Sequence, residues 1–172
     1  LVEVERVWVL DTSAIVDFKS LIALSDQWDA FKGLEERVIA GEIAMPRQVL
    51  NGGAELTHPD LPGTWATGIR GQLQHPLDVH FDQIQRVMAE AGEVTDPNKT
   101  TEDADPYVVA LALQLREAGL DAIVVTSAAV DRLPLKIAMT TACNRLGVPH
   151  ASPRDFLIAA GVKVKPMGTE SA

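Results

Sequence analysis

Three observations predict an α/β domain built on a parallel sheet covered on both faces. Two short apolar runs, Val7-Trp8-Val9-Leu10 and Ala122-Ile123-Val124-Val125, read as strands buried on both sides. Each run stops abruptly on polar residues, the first on Asp11-Thr12-Ser13 and the second on Thr126-Ser127. Around them the apolar residues fall at helical spacing, and strand–helix alternation with short connections is the signature of a wound parallel sheet. The carboxyl ends of both runs then share one edge of the sheet, where open α/β folds form their ligand crevice. Asp11 is therefore the first residue to examine for chemistry.

Taken in order, a helix is expected over 14–24, with Ile15, Phe18, Leu21 and Ile22 on its apolar side. Ser25 is a candidate cap for a second helix running to about residue 40, whose apolar face is marked by Trp28, Phe31, Leu34 and Val38. Gly41 suits its C-terminal turn. Residues 42–45 read as a short strand, and Pro46 as the opening turn of another helix. Gly52 and Gly53 interrupt that helix, each costing roughly 1 kcal/mol relative to alanine. Residues 56–77 are rich in Pro, Gly, Thr and His and read as a surface connection, with a helical turn over 65–73.

A helix over 79–91 follows, with Phe81, Ile84, Val87, Met88 and Ala91 apolar, and then a polar loop over 95–102. Asp105-Pro106 opens the strongest helix of the sequence, stopped by Gly119. After the strand at 122–126 come a loop through Pro134, a helix over 139–146 stopped by Gly147, a short strand at 148–151 and a closing helix over 154–160. At 172 residues this is a single domain spanning 1–172, with its core from about 7 to 160 and a short C-terminal tail.

Composition narrows the function classes. No apolar run approaches the roughly 20 residues that span a bilayer, so no membrane association is expected. Two glutamates before the first apolar run are the wrong charge for a secretory signal. The single cysteine, Cys143, excludes an internal disulfide and a cysteine-based zinc cluster, and fits a reducing cytoplasm. On its apolar helix it reads as core rather than nucleophile. A net charge of −9 argues against broad electrostatic capture of nucleic acid. A nuclease with this charge needs a basic rim or a metal; the same acidity also suits a basic protein partner.

Among the carboxylates, Asp105 is the second candidate. It reads as a helix cap before proline, and also as a ligand, since a capping aspartate keeps one oxygen free. Asp103 and Glu102 read as solvated loop acids. A haloacid-dehalogenase type of phosphotransferase also carries an aspartate after its first strand, but needs a second acid two residues on, where this chain has Ser13. His58, His75, His80 and His150 form no ligand-like pair. Arg47, Arg70, Arg86, Lys99, Arg132 and Lys136 are candidates for a phosphate-contacting rim, with solvated surface the ordinary role for any one of them.

Asp11-Thr12-Ser13 closing the first strand, the helix begun at Pro46, Ala104-Asp105-Pro106-Tyr107 with Val108-Val109-Ala110-Leu111-Ala112, and Ile123-Val124-Val125-Thr126-Ser127 together resemble the PIN-domain family of metal-dependent ribonucleases. Lys136-Ile137, the stretch from Cys143 to Val148, and Asp155-Phe156-Leu157 resemble the longer relatives grouped with VapC-type toxins. The resemblance covers about 7–160. It implies a three-layer α/β/α sandwich with a central parallel sheet, and an acidic cluster binding Mg²⁺ or Mn²⁺. Close carboxylates repel unless a divalent cation neutralises them, and hard oxygen ligands suit these two ions. By resemblance Asp11 and Asp105 are metal ligands, while Thr12, Ser13 and Thr126 are hydrogen-bonding groups that orient them.

Two positions depart from the family pattern. The arrangement Pro-x-x-Val-x-x-Glu is matched at Pro46 and Val49, but the glutamate position is Gly52. Glu55, three residues on, is either its substitute or a surface acid. The acid two residues after Thr126 is replaced by Ala128. Asp131 is either swung in from the loop to serve there or an ordinary surface acid. The resemblance implies an endoribonuclease acting on RNA, dimeric, cytoplasmic and neutralised by an antitoxin protein that covers the acidic site. The alternative is a degenerate PIN domain kept as a protein- or RNA-binding module.

Overall fold

The strand ending at Leu10 occupies the middle of the sheet. β1 (Arg6–Leu10) pairs in parallel with β2 (Ile43–Ala44) on one side and β3 (Asp121–Val125) on the other. β4 (His150–Ala151) adds beyond β3, giving the order β2-β1-β3-β4 with every pairing parallel. The computed structural model describes residues 3–51 and 60–168. The expected break at Gly52 and Gly53, Glu55 and His58 lie outside the described residues.

Register brings the strand ends together. Leu10 stands beside Val125, and Val125 beside Ala151. The ladder continues one residue further, where Asp11 N–H donates to Val125 C=O at 3.0 Å and Thr126 N–H donates to Ala151 C=O at 3.1 Å. Asp11 and Thr126 are thus fixed by backbone hydrogen bonds at the carboxyl edge of neighbouring strands.

Helices cover the sheet in two layers, making the three-layer α/β/α sandwich. One group comprises α1 (Thr12–Leu21), α2 (Leu24–Ile39), α4 (Leu61–Gly68) and α8 (Pro153–Ala159); α3 (Arg47–Leu50) is a single turn after β2. A chain of rings ties this group together. Trp8 meets Phe156 at 5.4 Å, Phe156 meets Phe18 at 5.9 Å, Phe18 meets Phe31 at 6.3 Å and Phe31 meets Trp65 at 5.4 Å. Offset and edge contacts of this kind add to the apolar area each ring buries. The other group is α5 (Phe81–Ala91), α6 (Asp105–Glu117) and α7 (Met139–Leu146), which contact one another, with α6 against β3. α6 is buried on most sides, with Val108 through Ala112 fully enclosed. No helix among the described residues is long and apolar enough to cross a membrane.

Several expectations need correction. Trp28 is exposed, and the buried face of α2 runs through Gln27, Phe31, Leu34 and Val38 instead. Gln27 takes the buried position because its amide donates to the Lys19 and Ile22 carbonyls, satisfying the end of α1. Ser25 does not cap α2, whose cap residue is Ala23. Residues 60–72 are not a surface connection: α4 is capped by Asp60, whose carboxylate accepts Gly63 N–H, and Trp65, Ala66 and Ile69 are buried. Phe81 and Met88 of α5 face outward, leaving Gln83, Val87 and Ala91 inside.

Candidate active site

Asp11 ends β1 and starts α1 at once. Its carbonyl accepts from Ala14 N–H at 3.1 Å and Ile15 N–H at 3.3 Å, so the chain turns from strand to helix with the side chain at the junction. The residue is 2% exposed. Its Oδ2 accepts two hydroxyls, from Ser13 and from Thr126, each at 2.8 Å. Those hydroxyls are themselves oriented: Ser13 Oγ accepts Ser127 N–H at 3.2 Å and Thr126 Oγ1 accepts Ala128 N–H at 3.1 Å. With lone pairs engaged by the backbone, both are left to donate their protons to Asp11. The other oxygen, Oδ1, is buried with no hydrogen-bond partner among the described residues. A buried carboxylate oxygen without a partner is costly and calls for an explanation, a bound ion or water being one.

Asp105 approaches from α6. It is the first helical residue rather than the cap: Ala104, with φ −70° and ψ −26°, holds the cap position. Capping of this turn falls to Asp103, which is buried and not a solvated loop acid. Asp103 accepts Asp105 N–H at 3.2 Å and Asp96 N–H at 3.1 Å, and pairs with Lys99 at 3.2 Å. Burial alone pushes its carboxyl up, but those amides and the charges of Lys99 and Lys136 outweigh it and hold the carboxyl below its usual range. Asp105 is relieved of the capping role, and its Oδ2 meets the Lys136 ammonium at 2.7 Å, with the two side chains 18% and 11% exposed respectively.

Asp11 and Asp105 share one cleft of about 760 Å³. Thr12, Ser13, Gln48, Asn51, Ala128 and the basic residues Lys99, Arg132 and Lys136 also line it. Acids outnumber bases five to three on these walls, so a phosphate entering without a cation meets net repulsion. Burial pushes Asp11 up to about 6, aided by the nearby charge of Asp105, against the opposing pull of Ser13, Thr126 and the Thr12 amide. Burial likewise raises Asp105, against the opposing Lys136 contact. Cys143 is buried, and its thiol is pushed up to about 12 by burial and then by Asp11, far from a reactive thiolate.

Asp131 is not in the site. Its carboxylate accepts Ala138 N–H and the Thr141 hydroxyl, each at 2.7 Å, and so caps the start of α7. These two donors, in that order of strength, hold its carboxyl below the ordinary range. The expectation that it swings toward the position vacated at Ala128 is corrected, because helix capping commits it elsewhere. Ala128 itself presents only a methyl group to the cleft.

The described residues therefore bring two carboxylates together, and no group of three or more His, Cys, Asp or Glu side chains among them is placed to hold a metal. The donor chemistry still fits a hard divalent cation. Two carboxylates, one with an unpartnered oxygen, match an ion that keeps several waters and relies on one or two protein ligands plus substrate phosphate. Lys136 was legible only as one of six candidate rim residues. Its specific seat comes from the tight turn between Arg132 and Lys136, closed by Arg132 N–H to Lys136 C=O at 2.9 Å and Lys136 N–H to Arg132 C=O at 3.1 Å. A long-range ion pair of this kind leaves no local signal. Asp103 did have one, since an acid two residues before the first helical amide is the spacing of an Asx turn.

Comparison with curated proteins finds no match. A family described as Domain of unknown function (DUF4411) matches residues 8–164. That span takes in Asp11, Ser13, Asp105, Thr126 and Lys136, so the whole described cleft and all of the sheet except the first two residues of β1 lie within it, and the chain belongs to this family.

Proposed function

We propose that the chain is a metal-dependent endoribonuclease of the PIN type, similar to the VapC toxins, with Asp11 and Asp105 holding Mg²⁺ or Mn²⁺. The observation that carries this reading is the unpartnered, buried Oδ1 of Asp11, in a cleft shared with a second carboxylate. A divalent cation there supplies charge neutralisation and Lewis-acid activation for phosphodiester hydrolysis. Ser13 and Thr126 fix the Asp11 carboxylate in one orientation, which removes a reorganisation cost when the site is loaded. Arg132 and Lys136, which line the same cleft, supply cationic contacts for RNA phosphates. A cytoplasmic homodimer, with an antitoxin covering the acidic cleft, completes this reading.

The test is cleavage of a mixed-sequence single-stranded RNA by the purified chain in Mn²⁺, compared with EDTA and with Asp11→Asn. Cleavage that needs both the metal and Asp11 supports the nuclease. Cleavage that persists in EDTA or in Asp11→Asn contradicts it.

A second reading is favoured by specific observations. Ala128 presents a methyl where the PIN pattern has an acid, and Lys136 already neutralises Asp105. A degenerate PIN domain that binds protein or RNA without cutting it fits those features. It predicts RNA binding in the absence of any divalent cation and no cleavage in its presence.

A further inference from the structure

The two carboxylates of the cleft are in unequal states. Asp11 is clamped on one oxygen by two hydroxyls and bare on the other, whereas Asp105 is already engaged by a lysine ammonium at 2.7 Å. That lysine is mostly buried, at 11% exposure, and faces the same cleft as Asp11. Its backbone is pinned by the paired hydrogen bonds between Arg132 and Lys136, while its stem is a chain of four carbons with rotatable bonds. An ammonium and a divalent cation cannot occupy neighbouring positions on one carboxylate without strong repulsion. A cation seated between Asp11 and Asp105 therefore turns Lys136 off Asp105 and leaves its charge inside a confined cleft. A phosphodiester is the anion that would receive it there.

We propose that Lys136 is a built-in exchangeable counterion: it holds Asp105 in the empty protein and transfers to a nucleic-acid phosphate when a divalent cation takes the carboxylates. The inference rests on the metal-dependent reading above. Its consequence is linkage. Metal binding creates the phosphate contact, phosphate binding removes the competitor for Asp105, and each ligand must raise the affinity of the other by the same factor. Little metal would bind until substrate is present, which confines the loaded site to the complex with RNA.

Lys99 provides the internal control. It lies on the same cleft and removing it changes the charge equally, but its ammonium pairs with Asp103, which caps α6. Lys136→Gln removes the charge and keeps a hydrogen-bond donor for Asp105. Lys136→Arg keeps the charge and holds the carboxylate at least as firmly through its planar fork.

The experiment is calorimetric titration of Mn²⁺ into the full chain, with and without a short mixed-sequence phosphorothioate RNA that resists hydrolysis; thermal melts confirm that each variant is folded. For the native chain the RNA is expected to tighten Mn²⁺ binding about tenfold or more, within the usual range of coupling between sites. Lys136→Gln is expected to bind Mn²⁺ alone at least about fivefold more tightly and to lose most of the dependence on RNA. Lys99→Gln and Lys136→Arg retain that dependence. Equal shifts for Lys136→Gln and Lys99→Gln overturn the proposal, as does undiminished coupling in Lys136→Gln, while leaving the metal site intact. Absence of Mn²⁺ binding in every variant, with or without RNA, overturns the metal-dependent reading itself and the proposal with it.

Discussion

Asp11 combines near-complete burial, two oriented hydroxyl donors on one oxygen and none on the other. Such an arrangement is unfavourable to the empty fold. Its carboxyl titrates near 6 in the folded chain against 3.8 for an unperturbed aspartate. Below pH 3.8 both states carry the proton and the group contributes nothing. Between about 4 and 6 the folded state binds more protons than the unfolded one, so stability falls as pH rises, and above 6 the loss is constant. At 1.36 kcal/mol per pH unit the loss is on the order of 3 kcal/mol. Asp11→Asn, whose carbonyl oxygen still accepts both hydroxyls, is therefore expected to raise the melting temperature in EDTA at pH 7.5. The gain should shrink as pH falls through 6 toward 4, which thermal melts across that range will show. A carboxylate that stabilised the empty fold would give the opposite sign.

Asp103 and Asp131 are the reverse of Asp11, with donors that hold both carboxyls below the usual range. Three donors engage Asp103 at the start of α6, and two engage Asp131 at the start of α7. Asp131→Ala is expected to cost about 1 kcal/mol of stability, as loss of a helix cap does, with Mn²⁺ affinity unchanged. Chemical denaturation paired with metal titration separates the two effects. A large fall in Mn²⁺ affinity would return Asp131 to the site.

At the scale of elements, the ring chain from Trp8 through Phe156, Phe18 and Phe31 to Trp65 joins β1 to four helices of one layer. Phe18 is fully buried at its middle. Phe18→Ala is expected to destabilise the fold by about 3–5 kcal/mol, the usual cost of an aromatic cavity, as measured by denaturant midpoint. A loss below about 1 kcal/mol would mean that the layer does not pack as described. The sheet strands and most helices were legible because their apolar spacing is local and their stops, Gly41, Gly119 and Gly147, all have positive φ. α4 was obscured by Pro, Gly and Thr around Trp65, although the cap at Asp60 and the buried Trp65 and Ala66 dock it. Trp28 is exposed although its residue type favours burial. Gln27 takes the buried position through two carbonyl partners, which residue type alone does not reveal. The placement of Asp11, Ser13 and Thr126 on one sheet edge was legible from the strand ends, while the roles of Ser13 and Thr126 followed only from the family resemblance. The Lys136–Asp105 pair was not legible, since it joins residues 31 positions apart through a turn of no distinctive composition.

For the whole molecule, a net charge of −9 and an acidic cleft leave little electrostatic attraction for RNA. Association should depend on the divalent cation more than on long-range steering, with a shallow dependence on monovalent salt. Filter binding with and without Mn²⁺ tests this; tight binding in EDTA that weakens steeply with salt would favour a basic surface elsewhere. The central claim remains that Asp11 and Asp105 form a divalent-cation site. Its most direct measurement is calorimetric titration of Mn²⁺ into the native chain and Asp11→Asn, both in the presence of a hydrolysis-resistant RNA at pH 7.5. Saturable binding of one ion per cleft in the native chain, reduced at least about tenfold in Asp11→Asn, is the predicted result. Equal binding by the two proteins, or none by the native chain, would contradict it.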